Sequence, residues 1–161
     1  MNNVVDFQEL KKHGIVDSSL EFNCQTLREL YFFLEEHAQE NVATVPVSEF
    51  ESIAHYMFTF RSMVKLSGVK KEVKRVIAKK SPDKRDSVEF SFYLDGVKHL
   101  WQFDHDSKYI SDEFWKKTVS FLKKNSSNPI YRANSIDEPF WYFIGLPDEI
   151  PLRVNIMERL I

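Results

Sequence analysis

Asp104-His105-Asp106 is the densest group of possible metal ligands in the chain. Two carboxylates and an imidazole are donor types that hold a divalent cation. Neighbours on an extended chain point to opposite sides, so only Asp104 and Asp106 can share a face there. The same residues also read as a strand end running into an Asx-type turn, which needs no ligand, and no metal is expected. The five histidines, His13, His37, His55, His99 and His105, show no His-x-x-x-His spacing. Cys24, the single cysteine, stands near a helix start, where the dipole can lower a thiol pKa. No His or Asp is tied to it by a motif, so an ordinary thiol is expected. Gly14, Gly68, Gly96 and Gly145 are isolated, which leaves no glycine-rich loop to cradle a phosphate. These patterns predict no catalytic residue, no cofactor and no enzymatic activity.

Pro82-Asp83 followed by Glu89 is similar to the carboxylate pattern of metal-dependent nucleases. That pattern requires a lysine two residues after the second acid, on the same strand face, and Ser91 stands there. The residue that would stabilise an attacking hydroxide is missing, so a nuclease site is excluded.

Charge and aromatic placement is more informative. Net charge is −2, yet residues 65–85 hold nine cations (Lys65, Lys70, Lys71, Lys74, Arg75, Lys79, Lys80, Lys84, Arg85) and two acids, Glu72 and Asp83. That segment is one candidate phosphate-binding face, although its interleaved residues are valines rather than the stacking aromatics of a single-strand platform. Nucleic acid is therefore the second choice of partner. In the second half Trp101, Tyr109, Trp115, Phe140, Trp141 and Tyr142 lie close in sequence to Asp104, Asp106, Asp112, Glu113, Asp137 and Glu138. Aromatic side chains beside carboxylates are the residue types that recognise basic protein surfaces. Trp141 and Tyr109 are the candidate anchors. Asp104, Asp106, Asp137 and Glu138 are the candidate steering charges.

The elements that must position these residues begin with residues 88–104. Two alternating runs are joined by Asp95-Gly96, the sequence of a two-residue hairpin. That loop places Leu94 opposite Val97, Phe92 opposite His99, Phe90 opposite Trp101 and Val88 opposite Phe103. These residues make an apolar face that His99 alone interrupts. Residues 69–80 fit either a helix or a strand with Val69, Val73 and Ile77 on one face; the strand reading makes a three-stranded meander with a lysine-protected edge. Upstream, residues 5–13 read as a short helix stopped by Gly14. Thr26-x-x-Glu29 has capping-box form before a helix carrying Leu27, Leu30, Tyr31, Leu34 and Ala38. A link over residues 42–47 leads to a second such box, Ser48-x-x-Glu51. Behind it Ile53, Ala54, Met57, Phe58, Arg61 and Val64 form a stripe, ended by Ser67-Gly68. Asp106-Ser107-Lys108 reads as a turn. Ser111 caps a helix with Asp112 and Glu113 in its first turn and Phe114, Trp115, Thr118, Val119 and Leu122 inward. Residues 130–133 and 140–146 read as strands. The second is apolar on both faces, either central and covered or partly open to a partner. Residues 148–161 read as a C-terminal helix, though Leu152, Val154 and Ile156 also fit a strand.

The predicted class is α+β in one domain over residues 1–161: a helical N-terminal third, an antiparallel sheet built from a meander, a helix and two further strands, and a C-terminal helix. Apolar content of 43%, fourteen phenylalanines and four glycines suit a packed core and exclude a disordered chain. No charged-then-apolar leader opens the sequence and no apolar run approaches a membrane span, so a cytoplasmic protein is expected.

One resemblance runs from Val69 to Leu152. A polar loop precedes a Phe-rich strand, a Gly turn and a strand ending Trp101-Gln102-Phe103-Asp104. Asp106-Ser107-Lys108-Tyr109-Ile110-Ser111-Asp112-Glu113-Phe114 follows, then a helix, Tyr131-Arg132, and an aromatic strand ending Gly145-Leu146-Pro147. This order resembles the C-terminal half of small bacterial immunity proteins, the cytoplasmic antidotes encoded beside polymorphic or contact-dependent toxins. The resemblance implies a non-enzymatic protein that binds the C-terminal domain of a cognate toxin and neutralises it stoichiometrically; many such toxins are basic nucleases. It carries no contact residue over.

Overall fold

Asp95 and Gly96 adopt positive φ of 47° and 82°, the backbone that a two-residue hairpin requires. They join β3 (Ser87–Leu94) to β4 (Val97–Asp104) in the predicted register, Phe92 opposite His99 and Phe90 opposite Trp101. β2 (Val73–Lys80) pairs antiparallel with β3 and completes the meander β2-β3-β4. The strand reading of residues 69–80 therefore holds. The structure is a computed structural model and describes residues 3–48, 50, 52–106 and 108–161.

The inward face of β2 differs from expectation. Arg75 has φ of 53°, and the register slips by one residue between Lys74 and Ile77. This bulge turns Val76 into the core and leaves Ile77 half exposed. Val88, Phe90, Phe92 and Phe103 are buried, whereas Val97 overhangs the hairpin end and is exposed.

Two helices cover the inner face. α3 (Ala54–Ser67) sends Phe60 between Phe90 and Phe92, with ring centroids at 5.2 and 4.7 Å. α4 (Asp112–Asn125) adds Phe114 against Phe90 and Phe121 against Phe92. Ser111 caps α4 through the Phe114 amide, as predicted. α3 is rotated from the predicted stripe: Tyr56, Phe60, Met63 and Ser67 are buried at helical spacing, while Phe58 is exposed. The helix also starts later than expected. Its N-cap position is Ile53, and the predicted box partner Glu51 lies outside the described residues.

The single predicted sheet is in fact two. β1 (Val42–Pro46), read from sequence as a link, pairs with β6 (Phe140–Gly145), which pairs in turn with β5 (Ile130–Arg132), in the order β1-β6-β5. β6 is central and covered on both faces. Trp141 and Phe143 pack against Trp115 and the α3–α4 core. Ile144 and Tyr142 pack under α2 (Leu27–His37), with the Tyr142 ring stacked on Tyr31 at 4.8 Å. Thr26 caps α2, accepting from the Glu29 amide, while the Glu29 carboxylate takes the Gln25 amide. α1 (Phe7–Lys12) ends at positive-φ Gly14 as expected.

The predicted C-terminal helix is absent. After Pro151 the chain runs extended: Leu152 bridges Val5, and the Arg153 amide donates to the Val4 carbonyl. One 3-10 turn over Ile156–Glu158 follows, and Arg159 then bridges Tyr131. The N-terminal segment and β5 offer unpaired backbone groups, and a tail that satisfies them outweighs two turns of helix broken by a proline.

Candidate functional site

β4 ends at Asp104, and the chain then crosses toward α4 through a loop held from several sides. The His105 amide donates to the Asp86 carbonyl at 2.6 Å. The Phe50 amide donates to the Lys108 carbonyl and the Ile110 amide to the Val47 carbonyl. Beneath the loop lies Tyr56, fully buried on α3. Its hydroxyl shares a 2.6 Å hydrogen bond with His105 Nδ1 and accepts the Ser111 amide at 3.1 Å. Burial pushes the Tyr56 phenol up to about 12, against the pull of the Ser111 amide. It stays protonated and acts as a fixed clamp across both ends of the loop.

The clamp has a consequence at the surface. With its flanks tied down, the loop presents Tyr109 outward at 54% exposure, with Lys108 Nζ 5.6 Å from the ring centroid. Asp104, Asp106, Asp112 and Glu113 line the same open cleft of about 540 Å³ as Tyr109 and Trp141. Asp112 and Glu113 arrive there because α4 begins at the cleft. The sequence groups them with the aromatic residues and also gives them a helix-dipole role, but does not count them among the steering charges; their proximity to Tyr109 is the signal for that second role.

Four of the six predicted partner-binding residues, Asp104, Asp106, Tyr109 and Trp141, come together. Trp141 does so as a wall rather than as a protruding anchor: it is 8% exposed, donates from Nε1 to the Ile136 carbonyl, and has Arg132 over its ring. Asp104 is already paired, with Lys84 at 3.1 Å. Asp137 and Glu138 sit apart, in the β5–β6 loop. Asp137 is exposed, and Glu138 meets Arg28 of α2 at 2.8 Å. The Asn134 side chain and then Arg28 hold the Glu138 carboxyl below its usual range.

What clustered acids of this kind can do chemically is attract cationic groups. Among the described residues, no three His, Cys, Asp or Glu side chains converge to hold a metal ion. Asp104 and Asp106 line the cleft as members of a rim, beside an exposed phenol. Such a surface suits lysine and arginine side chains of a protein, with the Tyr109 ring as a platform.

Elsewhere the other sequence candidates take structural roles. His99 stacks flat on Phe92 at 5.0 Å. Cys24 is buried, and burial followed by nearby Glu29 pushes its thiol up to about 12, the reverse of an activated cysteine. The basic run divides among the α3 end, β2 and the β2–β3 loop. Lys74 pairs with Glu72, Lys79 with Glu89 and Lys84 with Asp104. No helix among the described residues is long and apolar enough to cross a membrane. No protein-family model matches the chain, and no curated protein or solved structure matches it significantly.

Proposed function

We propose that this chain is a non-enzymatic immunity protein of the bacterial cytoplasm, which neutralises a cognate toxin domain by stoichiometric binding, and that a basic surface of the toxin enters the acidic cleft. One observation carries the reading: Asp104, Asp106, Asp112 and Glu113 line one cleft with an exposed Tyr109, on a loop whose flanks are fixed in advance. A fixed loop lowers the ordering cost of association. Clustered acids accelerate encounter with a basic partner. The resemblance over residues 69–152 points to the same class. The alternative, a nucleic-acid module on residues 65–85, is less supported because its cations divide among the α3 end, β2 and the β2–β3 loop, and Lys74 and Lys79 pair with neighbouring acids.

The test is co-expression with the product of an adjacent toxin-like gene, scored by growth and by affinity. Wild type should protect. Asp106→Lys/Asp112→Lys should fold normally, bind about tenfold or more weakly through slower association, and lose protection. Cell death despite soluble wild-type protein overturns the reading. So does tight nucleic-acid binding whose steep salt dependence vanishes on neutralising Lys70, Lys74 and Lys79.

A further inference from the structure

The two edges of the meander are built differently. Along β3, Asp95 and Ser87 exchange backbone bonds with the β2 side (Asp95 amide to Glu72 carbonyl, Ser81 amide to Ser87 carbonyl). Antiparallel alternation then points Val88, Phe90, Phe92 and Leu94 at β4, where they pair with Phe103, Trp101, His99 and Val97. The intervening residues Lys98, Leu100 and Gln102 therefore turn their N–H and C=O groups away from the sheet. Among the described residues, none of these backbone groups has a partner. The other edge is closed to pairing. β2 carries the Arg75 bulge, its Val76 carbonyl accepts from Arg61 at 3.3 Å, and Lys74, Lys79 and Lys80 stand along it. β4 has no bulge, one lysine at Lys98, and exposed Val97 and Leu100. Protected edges are the rule, and an unprotected one is a template for another strand.

Beside this open edge, between β4 and α4, lies a second cleft of about 350 Å³. Trp101 and Phe121 supply its apolar surface, and Lys116, Lys117 and Lys124 rim it. Among the described residues these three lysines pair with no acid. A strand added to β4 would direct alternate side chains over this cleft and the rest over Leu100. We propose that the β4 edge accepts an extended acidic segment of a protein partner as a fourth strand. Its cleft-facing side chains combine carboxylates for the lysine rim with a bulky apolar residue over Trp101 and Phe121. A second copy of this chain fits poorly. Two-fold antiparallel pairing of β4 would place α4 of both copies over one face and bring the two lysine rims together.

The test uses an acetylated, amidated peptide about eight residues long, with glutamate, leucine and glutamate at successive alternate positions and threonine between them, and with amide NMR shifts and hydrogen exchange as readouts. The Lys98, Leu100 and Gln102 amides should shift and gain protection. Lys116→Glu/Lys124→Glu, which changes only surface charge, should weaken binding about tenfold or more. Methylating alternate peptide nitrogens should abolish it. The inference is overturned if these amides do not respond, or if the methylated peptide or a lysine–leucine peptide binds equally well. It is also overturned if oligothymidylate occupies the lysine rim instead, or if the three amides are already protected in a concentration-dependent dimer. Each outcome is independent of the growth assay for the acidic cleft.

Discussion

The meander β2-β3-β4 and the composite sheet β1-β6-β5 are both three-stranded and antiparallel, yet they are assembled by different means. The meander is contiguous, and each strand finds its neighbour through a short connection. The composite sheet draws residues 42–46, 130–132 and 140–145 together across the whole intervening chain. The meander packs on one face and leaves Leu100 and Gln102 on the other in solvent. The composite sheet is the partition between two cores and has apolar side chains on both faces. Local turn chemistry builds the sheet with one solvent face, and long-range apolar burial builds the sheet that holds the molecule together.

The severest test of that contrast truncates one aromatic in each sheet. Phe92 and Phe143 are both fully buried. Phe92→Ala and Phe143→Ala should each cost about 3–5 kcal/mol. If the composite sheet unites the cores, each variant should shift one cooperative thermal transition. Two separated transitions in the Phe143→Ala scan would show that the meander and its helices fold without the partition.

Glycine substitutions sharpen the comparison at smaller scale. A Cβ on Gly145 of β6 would lie 2.5 Å from the Leu66 carbonyl oxygen of α3. Gly145→Ala should therefore cost about 1–3 kcal/mol by forcing backbone apart. Gly96 meets nothing within 4 Å, and only its positive φ resists a side chain, so Gly96→Ala should cost about 1–2 kcal/mol. A second substitution elsewhere on α3 should change the Gly145→Ala penalty and leave that of Gly96→Ala untouched. Chemical denaturation of the double variants reads this directly.

This difference in origin also decides what was legible beforehand. Asp95-Gly96 and period-two alternation specify register within a few residues, so every pairing of β3 with β4 could be read. The β2 bulge could not, because Arg75 carries the positive φ without a glycine to announce it. α3 was misphased because Met57 and Phe58 are as apolar as Tyr56 and Phe60, and only the distant meander selects between the faces. β1 was invisible as a strand because its partner β6 lies about 100 residues away, and the tail took its shape from open edges elsewhere. In the cleft, Asp104, Asp106 and Tyr109 were legible because one loop carries all three. Asp112 and Glu113 stood in the same grouping but had an equally good reason to stand at a helix start, and the burial that makes Trp141 a wall rather than an anchor is set by the fold alone.

Alkaline titration probes both cores, since each holds a buried acid pushed up to about 12. Cys24 lies in the core under α2, and Tyr56 in the core under the meander. Both titrate near 12 when folded, against ordinary values of 9.0 and 10.0. Between the ordinary and folded values the folded state keeps a proton that the unfolded state has lost. Stability therefore falls as pH rises through each window. Cys24→Ala should flatten the decline that begins near pH 9, and Tyr56→Phe the part that begins near pH 10. Tyr31 and Tyr131, also raised by burial, keep a residual slope in either variant. Tyr56→Phe should in addition cost about 1–2 kcal/mol at neutral pH, because the Ser111 amide and His105 lose their shared partner.

The smallest effect belongs to the charges that lie outside the cleft. Arg28 and Glu138 form a short but solvent-exposed pair between α2 and the β5–β6 loop. Exposed pairs lose most of their attraction to screening and side-chain entropy, so Arg28→Ala should leave the melting temperature nearly unchanged. The pair matters more for steering. Arg28 already neutralises Glu138, which leaves Asp137 as the net charge that the two acids present to a partner. Both double reversals change the charge by the same amount, but Asp137 and Glu138 do not line the cleft, so Asp137→Lys/Glu138→Lys should slow association with a basic partner less than Asp106→Lys/Asp112→Lys does, and the gap should narrow as salt rises. Stopped-flow association rates at two ionic strengths decide it. Equal slowing by both double variants would mean that the partner spans the loop as well as the cleft.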